Sequence, residues 1–559
     1  MAGVFLNETI TENIKIKFQQ INTVSEFANL LNYIENELYI PEVEIFPITF
    51  SHLYHLSKTK NNRYNEFYIN KKNGSLRQIN SPDNQLKRVQ KLINVLLQII
   101  FQPYSHYCAN GFLLGKDIRR NALPHTDKKY VLNLDIKDFF PSINFRRIKV
   151  VLELSPFNLS NNREKIAFLI ANISTYNDFL PQGAATSPLL SNVVTQKLDR
   201  KISKLCQSLK IKYSRYADDL SFSSNINIFD DKFITSIIKI IEKENFKINN
   251  EKTRLKTDRE RQEVTGLVVN EKVNIKREYL QKIRAMLNNW EKGGLRFAEE
   301  RFNYYQPIDK FSYNFKSVLL GHLSFLKLIK GENHQLTKKL RLKYTFLNNL
   351  IDYSFIDNKT VNNKLKEDNL LMETTYFEKN ETDNKFISFC TAAFHQIENL
   401  VNYYYWKKHT SFDDLLNELL EFNPRFKKQF KTLENAKNTF KKISQLNINV
   451  LIFLYEKEFF FDKKIYYNKH LTMLREIRND DLHRCSIIGV DHEELKNEYL
   501  IIENERKSQI KRGKNFVLSN YQQKIELNYE TLIFLERKNF KEVRKNLKDL
   551  SVNIKKQLI

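Results

Sequence analysis

The alternation of apolar and polar positions divides the chain into stretches of different period. Val24, Phe27, Leu30, Leu31 and Ile34 recur at helical spacing behind Asn22 and Thr23, which supply an N-cap, so residues 1–60 read as helical. From Tyr68 to Ile79 two strand-like runs flank Asn73-Gly74, the signature of a hairpin. A helix follows, with Leu86, Val89, Leu92 and Leu96 on one face. The strand Val131–Ile136 alternates: Leu132, Leu134 and Ile136 point one way, and Val131, Asn133 and Asp135 the other. Ile211–Ser223 reads as a hairpin with Ala217 and Asp218 in its turn, and Val264–Val269 as one further apolar strand. Residues 276–350 read as mostly helical and 354–385 as a polar linker. The helical period resumes at Phe386 and runs through Phe389, Ala393, Ile397, Leu400 and Tyr404. The passage from a mixed pattern (60–270) to an all-helical one (276–559) predicts an enzyme core with helical appendages.

Composition refines this picture. The chain has 559 residues, of which 42% are hydrophobic, enough to bury several cores. Glycine and proline number 12 and 11, far below the roughly 12% combined share of soluble proteins, which predicts short loops and many helices. Lysine and arginine total 90 against 65 acidic residues, a net charge of +25. Such an excess attracts polyanions, nucleic acid first among them. The plainer source is codon bias, since Lys, Asn, Ile, Phe and Tyr are all abundant. Cys108, Cys206, Cys390 and Cys485 form no C-x-x-C pair, so neither a zinc site nor a disulfide framework is expected. The N-terminus lacks a signal pattern and no apolar run is long enough to cross a bilayer, so a soluble cytoplasmic protein without a membrane partner is expected.

The candidate chemistry lies in carboxylates. Asp135 projects from a strand whose other face is apolar, and Asp218 and Asp219 adjoin in a hairpin turn, Tyr216-Ala217-Asp218-Asp219. An Asp pair at a turn is ordinarily solvated. Converging carboxylates, however, repel one another unless a cation neutralises them. Two Mg²⁺ ions about 3.5–4 Å apart would clamp the attacking and leaving oxygens of a phosphoryl transfer, and magnesium accepts such an all-oxygen ligand set.

Three motifs resemble those of reverse transcriptases: Leu134-Asp135-Ile136-Lys137-Asp138-Phe139-Phe140, then Gln182-Gly183-Ala184-Ala185-Thr186-Ser187-Pro188-Leu189-Leu190-Ser191-Asn192, then Tyr216-Ala217-Asp218-Asp219. Asn121-Ala122-Leu123-Pro124-His125 and Val264-Thr265-Gly266 resemble the N-A-x-x-H and V-T-G signatures of the retron-type bacterial enzymes. The resemblance covers Tyr68 to Asn349 and departs at Ala185, where many relatives carry proline. It implies an α+β right-hand polymerase core (fingers, palm with an antiparallel sheet, helical thumb) followed by an all-α C-terminal domain. The expected divisions are an N-terminal helical segment at 1–60, fingers and palm at 61–275, a thumb at 276–353, a linker at 354–385 and a helical domain at 386–559.

The resemblance also implies roles. Asp135 and Asp218 would bind two Mg²⁺ ions, with Mn²⁺ as a substitute, supported by Asp219 and the carbonyl of Ile136. Phe140 stands where the family's steric gate against a ribose 2′-OH sits; its plainer reading is a core aromatic. Gln182 and Gly183 would line the nucleotide pocket, and Arg77 with Lys71 or Lys72 would meet the triphosphate of a dNTP. Lys252 would protonate the leaving pyrophosphate, or is an ordinary solvated lysine. Asn121, His125, Val264, Thr265 and Gly266 would recognise a structured noncoding RNA, although His125 also reads as an ordinary histidine. DNA would be the product.

Beyond residue 350 the sharpest signal is Leu474-Arg475-Glu476-Ile477-Arg478-Asn479-Asp480-Asp481-Leu482-His483. Arg478, Asn479 and His483 resemble the R-x4-6-H motif of HEPN domains, helical bundles that often act as RNases, and Phe389–Trp406 resembles their first long helix. Histidine would move the proton and arginine would stabilise the phosphorane, without a metal. The plainer reading is a charged surface helix. HEPN sites are usually shared across a dimer, so a working site implies a homo-oligomer. The basic residues Arg506, Lys507, Lys511, Arg512 and Lys514 either bind RNA or solubilise a helix. A reverse transcriptase joined to a HEPN-like domain resembles the abortive-infection enzymes of antiphage defence. Three readings therefore stand side by side: a polymerase templated by a dedicated noncoding RNA, a template-independent or protein-primed DNA polymerase, and an RNase toxin controlled by its polymerase half. A group II intron maturase is disfavoured by the missing Cys/His endonuclease cluster.

Overall fold

A computed structural model describes residues 7–38, 46–70, 74, 76–304, 314–377, 383–459, 473–474, 477, 492–513 and 515–558. Lys71, Arg478, Asn479 and His483 lie outside the described residues. The chain divides into two units, one of residues 1–283 with 322–337 and one of 284–321 with 338–559. Residues 276–353, expected as a separate thumb, are thus shared between the two.

The first unit is mixed. Three helices, α1 (Glu8–Gln20), α2 (Val24–Leu38) and α3 (Phe50–Thr59), precede a two-stranded antiparallel ribbon of β1 (Tyr64–Asn70) and β2 (Leu76–Pro82). Then come α4 (Asn84–Phe101), α5 (Ile118–Ala122), β3 (Tyr130–Lys137), α6 (Phe145–Glu153), α7 (Glu164–Ile173) and the long α8 (Ser187–Ser208). After β4 (Lys212–Tyr216), β5 (Asp219–Ser224), α9 (Asp231–Lys243), β6 (Lys247–Ile248) and β7 (Arg254–Thr257), a small ribbon is formed by β8 (Glu263–Val264) and β9 (Leu267–Val268).

The central sheet runs β4-β5-β3-β6, with β7 also paired to β3, and every pairing is antiparallel. The period-2 reading of β3 explains its position. Leu132, Leu134 and Ile136 are buried in a core that includes Phe222 of β5 and Phe233 of α9, whose rings meet edge-on at 5.8 Å. The alternate residues, Asn133 and Asp135, face the opposite side.

Two sequence expectations change here. Val264–Val269 is not one strand: Thr265 (φ 48°) and Gly266 (φ 80°) both take positive φ, so the chain reverses between β8 and β9. Two consecutive positive-φ residues match the twist of a tight hairpin, and glycine takes that conformation freely. Residues 354–385 are not a linker, since they contain a 19-residue helix, Lys359–Phe377.

The second unit is helical among the described residues. It takes most of α10 (Arg277–Tyr304, kinked at Gly294), parts of α11 (Phe315–Lys330) and α12 (Gln335–Asn349), then α13 (Lys359–Phe377), α14 (Asp383–Lys408), α15 (Phe412–Phe422), α16 (Pro424–Phe430), α17 (Leu433–Thr439) and α18 (Ile448–Phe459), with three more helices at His492–Lys511, Asn520–Arg537 and Phe540–Leu558. α13 reads as polar because its inner face is polar: Asn362, Asp368, Asn369 and Glu373 are buried beside Leu365 and Met372. Glu373 receives both arms of Arg544 at 2.5 and 2.9 Å, which compensates the burial of its charge. α14 forms the hydrophobic spine with Phe386, Phe389, Phe394, Ile397 and Leu400. Arg506 is tied to Glu503 and Glu526, each at under 3 Å (2.7 and 2.8 Å). No helix is long and apolar enough to cross a membrane among the described residues.

Candidate active site

Strand register assembles the carboxylates. Asp135 near the end of β3 pairs directly with Asp219 at the start of β5, so both side chains leave the same face of the sheet. Asp218 lies in the turn just before β5, and its carbonyl accepts the Ile136 amide at 3.0 Å. Ala217 takes φ 56°, which lets two acidic residues sit at so tight a reversal. Ile136 itself is buried within the sheet.

The electrostatics are those of a site short of positive charge. Burial raises the Asp218 carboxyl above its ordinary range, Asp135 adds to the rise, and Lys252 and Arg77 oppose it. Asp219 keeps some solvent access, yet the protein packed around it, followed by Asp218 and Asp135, pushes its pKa up to about 6. Lys252 Nζ donates to Asp135 Oδ1 at 2.7 Å. These crowded, purely oxygen donors suit a hard divalent cation. Among the described residues no three His, Cys, Asp or Glu side chains form a complete metal cage. Magnesium keeps several waters and takes substrate phosphate oxygens, so it does not need one.

The turn is held from below by residues of which only Asn192, the last of the second motif, stood in a motif. Arg215 is fully buried, its Nε and Nη2 donating to the buried Asp199 at 2.8 and 2.7 Å while Nη1 donates to the Ala217 carbonyl at 3.1 Å. Burial alone would lower the arginine's pKa, and Asp199 more than reverses that. Tyr213 adds a hydroxyl to Asp199 at 2.9 Å. Gly111 packs against the turn so closely that a Cβ there would come within 2.8 Å of the Ala217 nitrogen. The Gly111 carbonyl is fixed by Asn192 Nδ2 at 2.7 Å. The sequence signal for this buttress was slight: a glycine in a chain with few, and an arginine alternating into the buried face of β4.

The other expected residues fall into two groups. Gln182 and Gly183 meet the β1–β2 ribbon: the Asn80 amide donates to the Gln182 carbonyl at 2.8 Å, and Gly183, at φ 137°, leaves its Cβ position 2.5 Å from the Asn80 carbonyl oxygen. Arg77 lies on β2 and is felt electrostatically at Asp218. Phe140 is half-buried beside Phe139 (5.4 Å) and Phe112 (6.4 Å), and Phe112 in turn lies 6.2 Å from Tyr216 of the turn. Thr265 and Gly266 line, with Asp135, Asp219, Lys252 and Arg254, a groove of ≈ 690 Å³.

Asn121, His125 and Val264 differ from expectation. All three are fully buried and offer no surface to a nucleic acid. The His125 ring nitrogens lie 2.8 Å from Ser223 and 2.8 Å from Ser214, joining β4 to β5 from behind. Asn121 receives Asn110 Nδ2 at 3.1 Å and bonds Ser214 through its carbonyl. Direct RNA contact by Asn121 and His125 is therefore corrected to a structural role: they fix the strands that carry Asp218 and Asp219. Burial, and to a lesser extent Lys128, lowers the His125 pKa to about 3, so the ring is neutral.

Comparison with known proteins agrees with this geometry. Residues 69–280 match the family model described as reverse transcriptase (RNA-dependent DNA polymerase). The chain is 35% identical over 232 residues to the retron Ec86 reverse transcriptase of Escherichia coli, covering 41% of this chain and 70% of that protein. It is 34% identical over 260 residues to the retron Mx162 reverse transcriptase of Myxococcus xanthus (41% of this chain, 53% of that protein). It is 31% identical over 249 residues to the retron Mx65 reverse transcriptase of the same organism (42% and 57%). The chain thus spans little more than half the length of the two Myxococcus relatives.

Proposed function

The chain belongs to the retron reverse transcriptases, and from that premise we propose that it is an RNA-directed DNA polymerase that copies a dedicated noncoding RNA into DNA. The observation that carries the proposal is the pairing of Asp135 with Asp219 beside Asp218 on one face of an antiparallel sheet. Asp135 and Asp218 would hold two magnesium ions, with Asp219 supporting them. Bound there, the ions supply Lewis-acid stabilisation of the attacking 3′ oxygen and the leaving phosphate oxygen.

The chain's own residues do the rest. Arg77, on β2 and near enough to Asp218 to be felt electrostatically, grips the triphosphate through its forked donors. Gln182 and Gly183 keep the nucleotide pocket narrow, because backbone meets backbone there. Phe140 fills the space that a ribose 2′-OH would need, which selects dNTPs. Lys252 releases Asp135 and hands a proton to the leaving pyrophosphate. Thr265, Gly266 and Arg254 line the groove that continues from Asp135 and Asp219, and this groove is assigned to the nucleic-acid strand being extended. The structured RNA is bound by exposed basic surface outside the Asn121–His125 segment.

The same proposal assigns the polymerase to antiphage defence and the helical second unit to a HEPN-like effector or assembly domain. The support is the Arg478–His483 motif and the pairing of the two domains. One experiment separates the readings. Nucleic acid bound to purified wild-type protein and to Asp218→Ala/Asp219→Ala is extracted with and without protease and treated with DNase or RNase. A discrete DNA found only in wild type and joined to one abundant RNA supports the proposal. DNA that stays with protein until proteolysis moves the assignment to protein-primed synthesis. RNA alone, identical in both samples, moves it to the RNase reading.

A further inference from the structure

Helix α3 and the segment just before it present an aromatic row to solvent that no packing requirement explains. Phe46 is 87% exposed, Phe50 48% and Tyr54 51%, and they follow one another at a spacing of four residues. The Phe50 and Tyr54 rings lie nearly parallel, with centroids 6.0 Å apart and planes at 13°. One turn further on, Lys58 Nζ stands 4.7 Å over the Tyr54 ring. The opposite face of α3 is ordinary core, with Leu53 and Leu56 fully buried.

The stripe is held in place. Asn32 makes both hydrogen bonds to the backbone of Ile48, at 2.7 and 2.8 Å, and Arg88 donates to the Phe46 carbonyl at 2.9 Å. Thr49 caps the helix through the His52 amide at 3.2 Å. Aromatic side chains have few rotatable bonds, so the parallel, solvent-facing Phe50 and Tyr54 rings on a capped helix lose little conformational entropy on binding, which is what a stacking platform requires.

Helix α3 itself carries basic and no acidic side chains. From Phe46 to Thr59 the sequence contains no acidic residue and carries Lys58, His52 and His55, while Lys60 just beyond is turned to the Thr175 hydroxyl. Among the described residues, two carboxylates of neighbouring elements are already engaged, Glu35 by Arg88 and Asp83 by Arg63. His52 records the same surroundings: burial lowers its pKa, and Arg88, Arg63 and His55 lower it further.

We propose that Phe46, Phe50 and Tyr54, with Lys58, form a platform that stacks the bases of an unpaired run of nucleotides and contacts its phosphates. Aromatic rings bind any base face and a lysine at the end of the row meets the backbone, the combination by which single strands are held without sequence preference. The inference does not rest on the polymerase reading, because α3 precedes residue 69, where the family match begins.

The test uses the full chain, stripped of bound nucleic acid in high salt, with three labelled probes: a 12-nucleotide RNA, the DNA of the same sequence, and the corresponding duplex. Ultraviolet cross-linking to the single-stranded probes is mapped by mass spectrometry, and affinities are measured for wild type, Phe46→Ala, Phe50→Ala/Tyr54→Ala and Tyr54→Phe. The expected result is a cross-link within residues 46–58 and a loss of roughly tenfold in single-strand affinity for the double variant. A smaller loss is expected for Phe46→Ala, retention for Tyr54→Phe, and no change for the duplex. Tighter binding of RNA or of DNA names the strand the platform serves. The most exposed ring, Phe46, supplies a variant that leaves the fold intact. Cross-links confined elsewhere with unchanged affinities overturn the proposal. So does a double variant that loses only self-association in sedimentation, which would make the stripe a protein contact.

Discussion

Lys252 Nζ and Asp135 Oδ1 are 2.7 Å apart, so the carboxylate assigned to the metals is already partnered by a flexible cation from the segment between β6 and β7. The lysine side chain is 52% exposed, which limits the worth of this pair to about 1 kcal/mol or less. A divalent cation held by Asp135 would therefore compete with the lysine for one carboxylate. In Lys252→Ala, Mn²⁺ binding measured by calorimetry is expected to tighten by up to about fivefold, which corresponds to that energy. Nucleotide addition by the same variant is expected to slow about a hundredfold, the scale of a lost general acid. A variant with weaker metal binding and full activity would show that the lysine serves neither purpose.

The buried Arg215–Asp199 pair supports the turn through the Ala217 carbonyl. Removing one partner leaves a buried uncompensated charge, at a cost of about 3–5 kcal/mol. Arg215→Ala is expected to show that loss in denaturant unfolding. Asp199→Asn/Arg215→Gln, which removes both charges, is expected to recover part of the stability. Recovery of stability without recovery of polymerisation would place the pair's importance in positioning Asp218.

His125 links stability to pH. Its folded-state pKa, about 3, lies below the ordinary value near 6.5. The unfolded chain therefore binds the proton first. Its contribution is complete above about pH 6.5 and is lost as pH falls toward 3, with a slope of at most about 1.4 kcal/mol per pH unit. Unfolding free energies of wild type and His125→Gln, measured from pH 7 to 4.5, are expected to differ in slope in that sense. Parallel curves would remove the buried neutral ring from the account.

Phe140 and Gly183 test the shape of the nucleotide pocket. Phe140→Ala is expected to raise incorporation of ribonucleotides relative to deoxyribonucleotides by at least tenfold, read by primer extension. Gly183→Ala combines a positive φ with a Cβ 2.5 Å from the Asn80 carbonyl oxygen. It is expected to raise the KM for dNTP sharply by displacing β2. An unchanged sugar preference in Phe140→Ala would return that ring to a packing role.

The carboxylates were legible in part: strand alternation put Asp135 on the polar face of β3 and the hairpin put Asp218 and Asp219 at one turn, whereas the non-local pairing that sets Asp135 opposite Asp219 is a finding of the structure. Residues whose roles depend on what lies behind them were not. Arg215 belongs to a residue type that is usually exposed, and only the distant Asp199 allows its burial. Asn121 and His125 are polar and stand in a motif, so they read as contacts for RNA, whereas Ser214 and Ser223 satisfy them inside the protein. α13 reads as a linker in the sequence because its buried face is built largely from Asn, Asp and Glu. The Phe50 and Tyr54 rings carry no sign in the sequence of which way they point, since a helical stripe of aromatics is usually core.

The most direct measurement is incorporation of labelled dNTPs by the purified protein on its co-purifying RNA, with Mg²⁺, in wild type and in Asp218→Asn. RNase-sensitive initiation and a DNase-sensitive product in wild type, lost by at least a thousandfold in Asp218→Asn, is the expected result. Equal incorporation by the two proteins, or synthesis in wild type that persists after the RNA is removed, would contradict an RNA-templated polymerase built on Asp135, Asp218 and Asp219.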